Sequence, residues 1–68
     1  MANQSTIAEK VRKARKKAGL SQDKLARKAD VAYNTVVKIE SGENKNPTIE
    51  TLRSIAKALD VSVNELIN

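Results

Sequence analysis

Apolar residues recur at helical spacing along nearly the whole chain, yet capping residues and breakers interrupt the rhythm so often that no helix can exceed about three turns. Such a chain can bury its apolar stripes only by packing several short helices against one another. Thr6 with Glu9 forms a capping box, and Ile7, Val11, Ala14 and Ala18 follow on one face. Gly19 ends this first helix in the left-handed region, with Leu20 placed to fold back on its last turn. Ser21 caps a second helix over Gln22 to about Ala29, with Asp23 at its positive end and Leu25, Ala26 and Ala29 facing inward. Asp30 and Val31 make a tight turn into a third helix, about Tyr33 to Ser41, whose inner side is expected to be Ala32, Val36 and Ile39. Gly42 closes it, and Glu43-Asn44-Lys45-Asn46 reads as an exposed loop. Thr48 caps a fourth helix with Ile49, Leu52, Ile55, Ala56 and Leu59 on one stripe. Ser62 with Glu65 repeats the capping box, and Val61 with Leu66 staples a short fifth helix. No stretch alternates long enough for a strand, so the expected fold is all-α, one five-helix domain over residues 1–68.

At 68 residues, only about 60% of the unfolded chain's surface can be buried, which leaves room for one modest core and no deep substrate cavity. Without Cys or His the chain lacks disulfides, thiol nucleophiles, imidazole bases and the usual zinc ligands. Its eight acids are scattered among caps and exposed faces, so neither an enzyme nor a cofactor or small-molecule site is expected. Tyr33 is the single aromatic residue, too few for the stacking platforms of single-strand binders. No apolar run approaches the roughly 20 residues that cross a bilayer, and a cytoplasmic, nucleoid-associated location is expected. The first helix also lacks the Trp, Phe or Leu of membrane-surface helices. Thirteen basic residues against eight acidic ones give a net charge of +5, unevenly spread: residues 1–28 hold nine against two. That field suits a polyanion, although a lysine-rich helix is also an ordinary solvated face.

Two short helices joined by a tight turn describe a helix-turn-helix, whose second helix can enter the DNA major groove. On a wheel of about 100° per residue, Asn34, Lys38 and Ser41 fall opposite Val36 and Ile39. Asn can pair bidentately with adenine and Lys can donate to guanine, so this face carries base-reading chemistry. Spacing alone leaves open the alternative that these are simply solvated polar residues.

The linked segments Gly19-Leu20-Ser21-Gln22-Asp23-Lys24-Leu25-Ala26, then Val31, Val36 and Ile39-Glu40-Ser41-Gly42, then Pro47-Thr48-Ile49 with Leu52, Ile55-Ala56-Lys57-Ala58-Leu59 and Val61-Ser62-Val63-Asn64-Glu65-Leu66 resemble the Xre/Cro, or lambda-repressor-like, helix-turn-helix family. The resemblance implies a compact five-helix lambda-repressor-like DNA-binding domain with its helix-turn-helix at helices 2 and 3. It implies a sequence-specific double-stranded DNA-binding regulator of the repressor type. By position, Tyr33, Asn34 and Lys38 would touch base edges, with Tyr33 alternatively packing on the core edge. Gln22 would bind a phosphate or brace a reading side chain, Thr35 would meet a phosphate or a thymine methyl, and Ser41, Lys45 and Asn46 would hold phosphates. Arg15 and Glu40 occupy positions that the family pairs in a largely buried salt bridge, a structural role. Lys10, Arg12, Lys13, Lys16 and Lys17 would supply long-range attraction, or else line a solvated face. Two departures stand out: Asp30 where the family has Gly, and Ala32 where it has a Ser N-cap.

In the fifth helix, Val63 and Ile67 stand i and i+4 on an element too short to bury both, which suggests a homodimer interface and a pseudo-palindromic operator. The same pair could instead seal the core or meet a downstream domain. The rival function is a protein-interaction module of the same fold, of the antitoxin or co-activator type.

Overall fold

Nearly every helix begins on a hydroxyl and ends on a left-handed residue. A computed structural model describes residues 6–67, with α1 (Ile7–Lys17), α2 (Gln22–Ala29), α3 (Tyr33–Ser41), α4 (Ile49–Leu59) and α5 (Val63–Ile67). The hydroxyls of Thr6, Ser21, Thr48 and Ser62 accept hydrogen bonds from the backbone N–H groups of Glu9, Lys24, Thr51 and Glu65, satisfying donors that the first turns leave unpaired. At Thr6 the Glu9 carboxylate completes the box by accepting from the Thr6 N–H at 3.4 Å. At Ser62 the expected box is half formed, because the Glu65 carboxylate takes the Ser62 hydroxyl instead of its N–H.

The stops are equally local. Gly19, Asp30, Gly42 and Asp60 have φ of 74°, 59°, 87° and 60°. After α1, α2 and α4, two backbone bonds close the same Schellman pattern, as in Gly19 N–H to the Lys16 carbonyl and Leu20 N–H to that of Arg15. Asp30 and Asp60 take the left-handed conformation that Asp tolerates better than most side chains. Asp30 therefore occupies the helix-turn-helix turn with the backbone that a Gly would adopt.

The core is aliphatic and draws on all five helices: Val11, Leu25, Val36, Ile39, Ile55 and Leu66 are its fully buried side chains. Helix α3 packs on α1 and α2, α4 on α2 and α5, and α5 returns to α1. Three expectations fail at helix ends. Ala32 is exposed, because it is the extended N-cap of α3 (φ −66°, ψ 145°) and lies off the helical wheel. Ile49, at the first position of α4, is 51% exposed, since that helix starts before the core does. Ala18 is exposed at the end of α1. Ala58, off the expected stripe, is buried because α4 packs on both α2 and α5, which widens its covered arc.

Glu40, only 2% exposed, is the one charged residue among the buried side chains of the described residues. Its carboxylate accepts from Arg15 Nε at 2.7 Å and Nη2 at 3.1 Å, and from Gln22 Nε2 at 3.0 Å. Its backbone carbonyl accepts from Arg12 Nη1 at 2.8 Å. Arg15 also donates to the Leu20 carbonyl at 2.8 Å, tying the pair to the α1–α2 turn. Among the described residues no buried side-chain polar atom lacks a partner. A buried ion pair so satisfied is roughly neutral against an apolar replacement, but removing one partner strands the other charge.

Two stability measurements follow from these contacts. Arg15→Ala and Glu40→Ala should each lower the unfolding free energy in urea by about 3–5 kcal/mol, and the double variant should lose clearly less than the sum. Additive losses would contradict the coupling. At the one helix that lacks a side-chain cap, Ala32→Ser should raise stability by about 0.5–2 kcal/mol, read from the urea midpoint at unchanged slope.

Candidate nucleic-acid interface

Helix α3 is held from below by Val36, Ile39 and Glu40, so its other side is fixed in direction by the core. Asn34, Lys38 and Ser41 are exposed and fall within about 60° on the wheel, with Tyr33 at one flank. Tyr33 is 51% exposed, and the core holds no aromatic side chain. Thr35 is half-buried on the opposite flank. Between Tyr33 and Ser41 on the wheel stands Val37, half-exposed and not among the residues expected at the interface. Its signal was its place one turn beyond Tyr33, on the outward side despite being apolar. A valine there offers a methyl surface suited to the thymine methyl group.

The loop after α3 is tied back to the helix. The Lys38 carbonyl accepts both the Asn44 N–H at 3.0 Å and the Ser41 hydroxyl at 3.1 Å, while Ser41 Oγ accepts the Glu43 N–H at 3.2 Å. Asn44 Oδ1 then takes the Asn46 N–H at 3.1 Å, an Asx turn. Lys45 and Asn46 are therefore exposed side chains on a loop whose backbone is referenced to Lys38 itself. The loop is less free than its composition suggested, and Asn44 is half-buried.

Two of the side chains expected to bind phosphate are engaged within the protein. The Ser41 hydroxyl proton is directed at the Lys38 carbonyl, and the Gln22 amide reaches Glu40 rather than a reading side chain. Gln22 retains its carbonyl oxygen and a second N–H at the N-terminus of α2. Arg12, expected among the long-range cations, is occupied by the Glu40 carbonyl. Lys10, Lys13 and Lys17 line a groove beside α5, away from α3. Val63 is half-buried against the core, whereas Ile67 is 49% exposed. The two are thus not equivalent members of one patch.

Residues 11–66 match the helix-turn-helix family model. The transcriptional regulator SinR of Bacillus licheniformis is 39% identical over 62 residues, which are 91% of this chain and 56% of that protein. The chain thus spans about half the length of the curated relatives it matches. A crystal structure of the biofilm master regulator SinR in complex with DNA superposes with a TM-score of 0.90 at 36% identity, covering 93% of this chain and 100% of that one. The P22 c2 repressor in complex with a synthetic operator superposes at 0.86 with 28% identity, covering 96% of this chain and 97% of that one. With five helices, a left-handed Asp30 between α2 and α3, and this match over most of its length, the chain belongs to the Xre/Cro-type helix-turn-helix family.

Proposed function

We propose that the chain binds double-stranded DNA sequence-specifically as a transcriptional regulator of the repressor type, acting by binding and not by catalysis, in the cytoplasm on the nucleoid. The observation that carries this reading is the outward side of α3, where Asn34 and Lys38 stand exposed on a helix braced from behind by Val36, Ile39 and Glu40. Likeness to a chain solved in complex with DNA supports it. In this reading Asn34 and Lys38 meet base edges, Tyr33 and Val37 supply apolar contact, and Thr35 stands at the margin toward the backbone. Lys45 and Asn46 contact phosphates, which set register and affinity without carrying sequence information. Gln22 and Ser41 join them only by exchanging a present intramolecular bond for one to phosphate oxygen, an exchange that keeps the number of hydrogen bonds.

A two-fold dimer completes the reading. Ile67 is the apolar side chain that α5 leaves exposed, with Val63 beside it already partly committed to the core. A self-complementary contact there would set two α3 helices about 34 Å apart, matching half-sites of a pseudo-palindrome roughly 10–11 base pairs apart.

Asn34→Ala and Lys38→Ala should each weaken binding to a selected duplex by roughly 1–3 kcal/mol and relax preference at one base position, whereas Lys45→Ala should weaken all duplexes alike and flatten the salt dependence by about one counterion. Unchanged affinity and preference in both α3 variants, with the fold intact, would remove α3 as the reader. For the dimer, Ile67→Asp is the cleaner change because Val63 serves the core. Sedimentation should show a folded monomer, and footprinting a weakened two-site pattern. A wild-type chain that stays monomeric at high concentration and protects one half-site would refute the dimer.

A further inference from the structure

DNA binding through α3 and its following loop would leave much of the positive charge on α1 unused. On the α1 wheel, Lys10, Lys13 and Lys17 fall within about 60° of one another, and their centre lies about 160° from that of Arg12 and Arg15, the pair turned toward Glu40. The three lysines edge an open groove between α1 and the junction of α4 with α5. Its apolar lining is Ala14, Ala18, Leu59, Val61 and Leu66, and none of its lining comes from α2 or α3. Asp60 and Glu65 stand on the α4–α5 side. Among the described residues the only ion pairs are Arg15–Glu40 and Arg27–Asp23, so the lysine row has no carboxylate within bonding distance.

We infer that this groove is a docking surface for an amphipathic helix of a protein partner, one whose acidic stripe lies along Lys10, Lys13 and Lys17 and whose apolar ridge enters between α1 and α5. Three features select that occupant. The lysines stand at i, i+3 and i+7, a straight row about 10 Å long that an acidic stripe of the same period on a neighbouring helix would match. Ala14 and Ala18 present only methyl groups, one turn apart, so a second helix can approach closely. The groove is also polar in the electrostatic sense, basic along α1 and acidic along α4–α5. A helix with acids on one edge and neutral or basic residues on the other is thereby oriented, while a nucleic-acid backbone, negative along its whole width, is opposed by Asp60 and Glu65. The surface is independent of the α3 reading, so the two stand or fall separately.

The probe is a synthetic helical peptide of about four turns carrying Glu at i, i+3 and i+7 beside a leucine ridge, titrated into the 15N-labelled chain. Amide signals of Ala14, Ala18, Val61 and Leu66 should move, with those of Asn34 and Lys38 unchanged. Peptides with Glu→Lys or with Leu→Ser should not bind. The double variant Lys13→Glu/Lys17→Glu should weaken peptide binding about tenfold or more, and Lys13→Ala/Lys17→Ala should weaken the peptide in the same direction by less while costing a selected DNA duplex less affinity than Lys45→Ala does. The inference is overturned if millimolar peptide moves no groove signal, if the Glu→Lys peptide binds equally, or if the shifts fall on α3. It is equally overturned if Lys13→Ala/Lys17→Ala loses DNA affinity as Lys45→Ala does, or if the signals of Ala14 and Ala18, on the α1 side away from Ile67, move on dilution of the protein alone, which would make a second copy the occupant.

Discussion

A single buried carboxylate organises this small fold. Glu40 sits in the last turn of α3, and from there it gathers the guanidinium of Arg15 in α1, the amide of Gln22 at the start of α2, and, through its own carbonyl, Arg12. A core built only from aliphatic side chains has few shapes that distinguish one helix register from another, because leucine, valine and alanine slide with modest loss. A charge that must find its partners cannot slide. Shifting α3 by one residue would carry Glu40 about 100° around the helix and strand it without donors.

The same contact governs the outward side of α3. Asn34 and Lys38 are presented in one direction because Val36, Ile39 and Glu40 hold the opposite direction, and the loop carrying Lys45 and Asn46 is hung from the Lys38 carbonyl. Base-edge and phosphate contacts would therefore move as one rigid unit, which lowers the ordering cost of engaging a duplex. The uncapped start of α3 at Ala32 is the exception. Missing a side-chain acceptor there leaves the first turn as the weakest part of the helix, next to Tyr33 and Asn34.

Charge on α1 divides by helix geometry in a way that composition hides. Arg12 and Arg15 differ from Lys10, Lys13 and Lys17 by direction as much as by chemistry. The planar guanidinium can satisfy a buried carboxylate and a carbonyl with several donors at once, and both arginines face inward toward α3. The lysines, compact and strongly hydrated, stay on the outer edge of the groove beside α5.

The amino-acid sequence by itself determined whatever rests on neighbours three or four residues apart. The four hydroxyl N-caps, the stops at Gly19, Asp30 and Gly42, the five helices and the outward place of Asn34 and Lys38 are all local, and each was legible from spacing. The Arg15–Glu40 positions were legible only through family resemblance, since 25 residues separate them and no periodicity links them. Tertiary structure alone decided which ends of each stripe reach the core, leaving Ala18, Ala32 and Ile49 exposed and burying Ala58. It also decided that Gln22 and Arg12 serve Glu40, that Ser41 closes on Lys38, and that Val63 is half-covered while Ile67 is not. The reason is that helix periodicity fixes the direction of a side chain around its own axis, whereas burial and hydrogen-bond partners depend on where the other helices end.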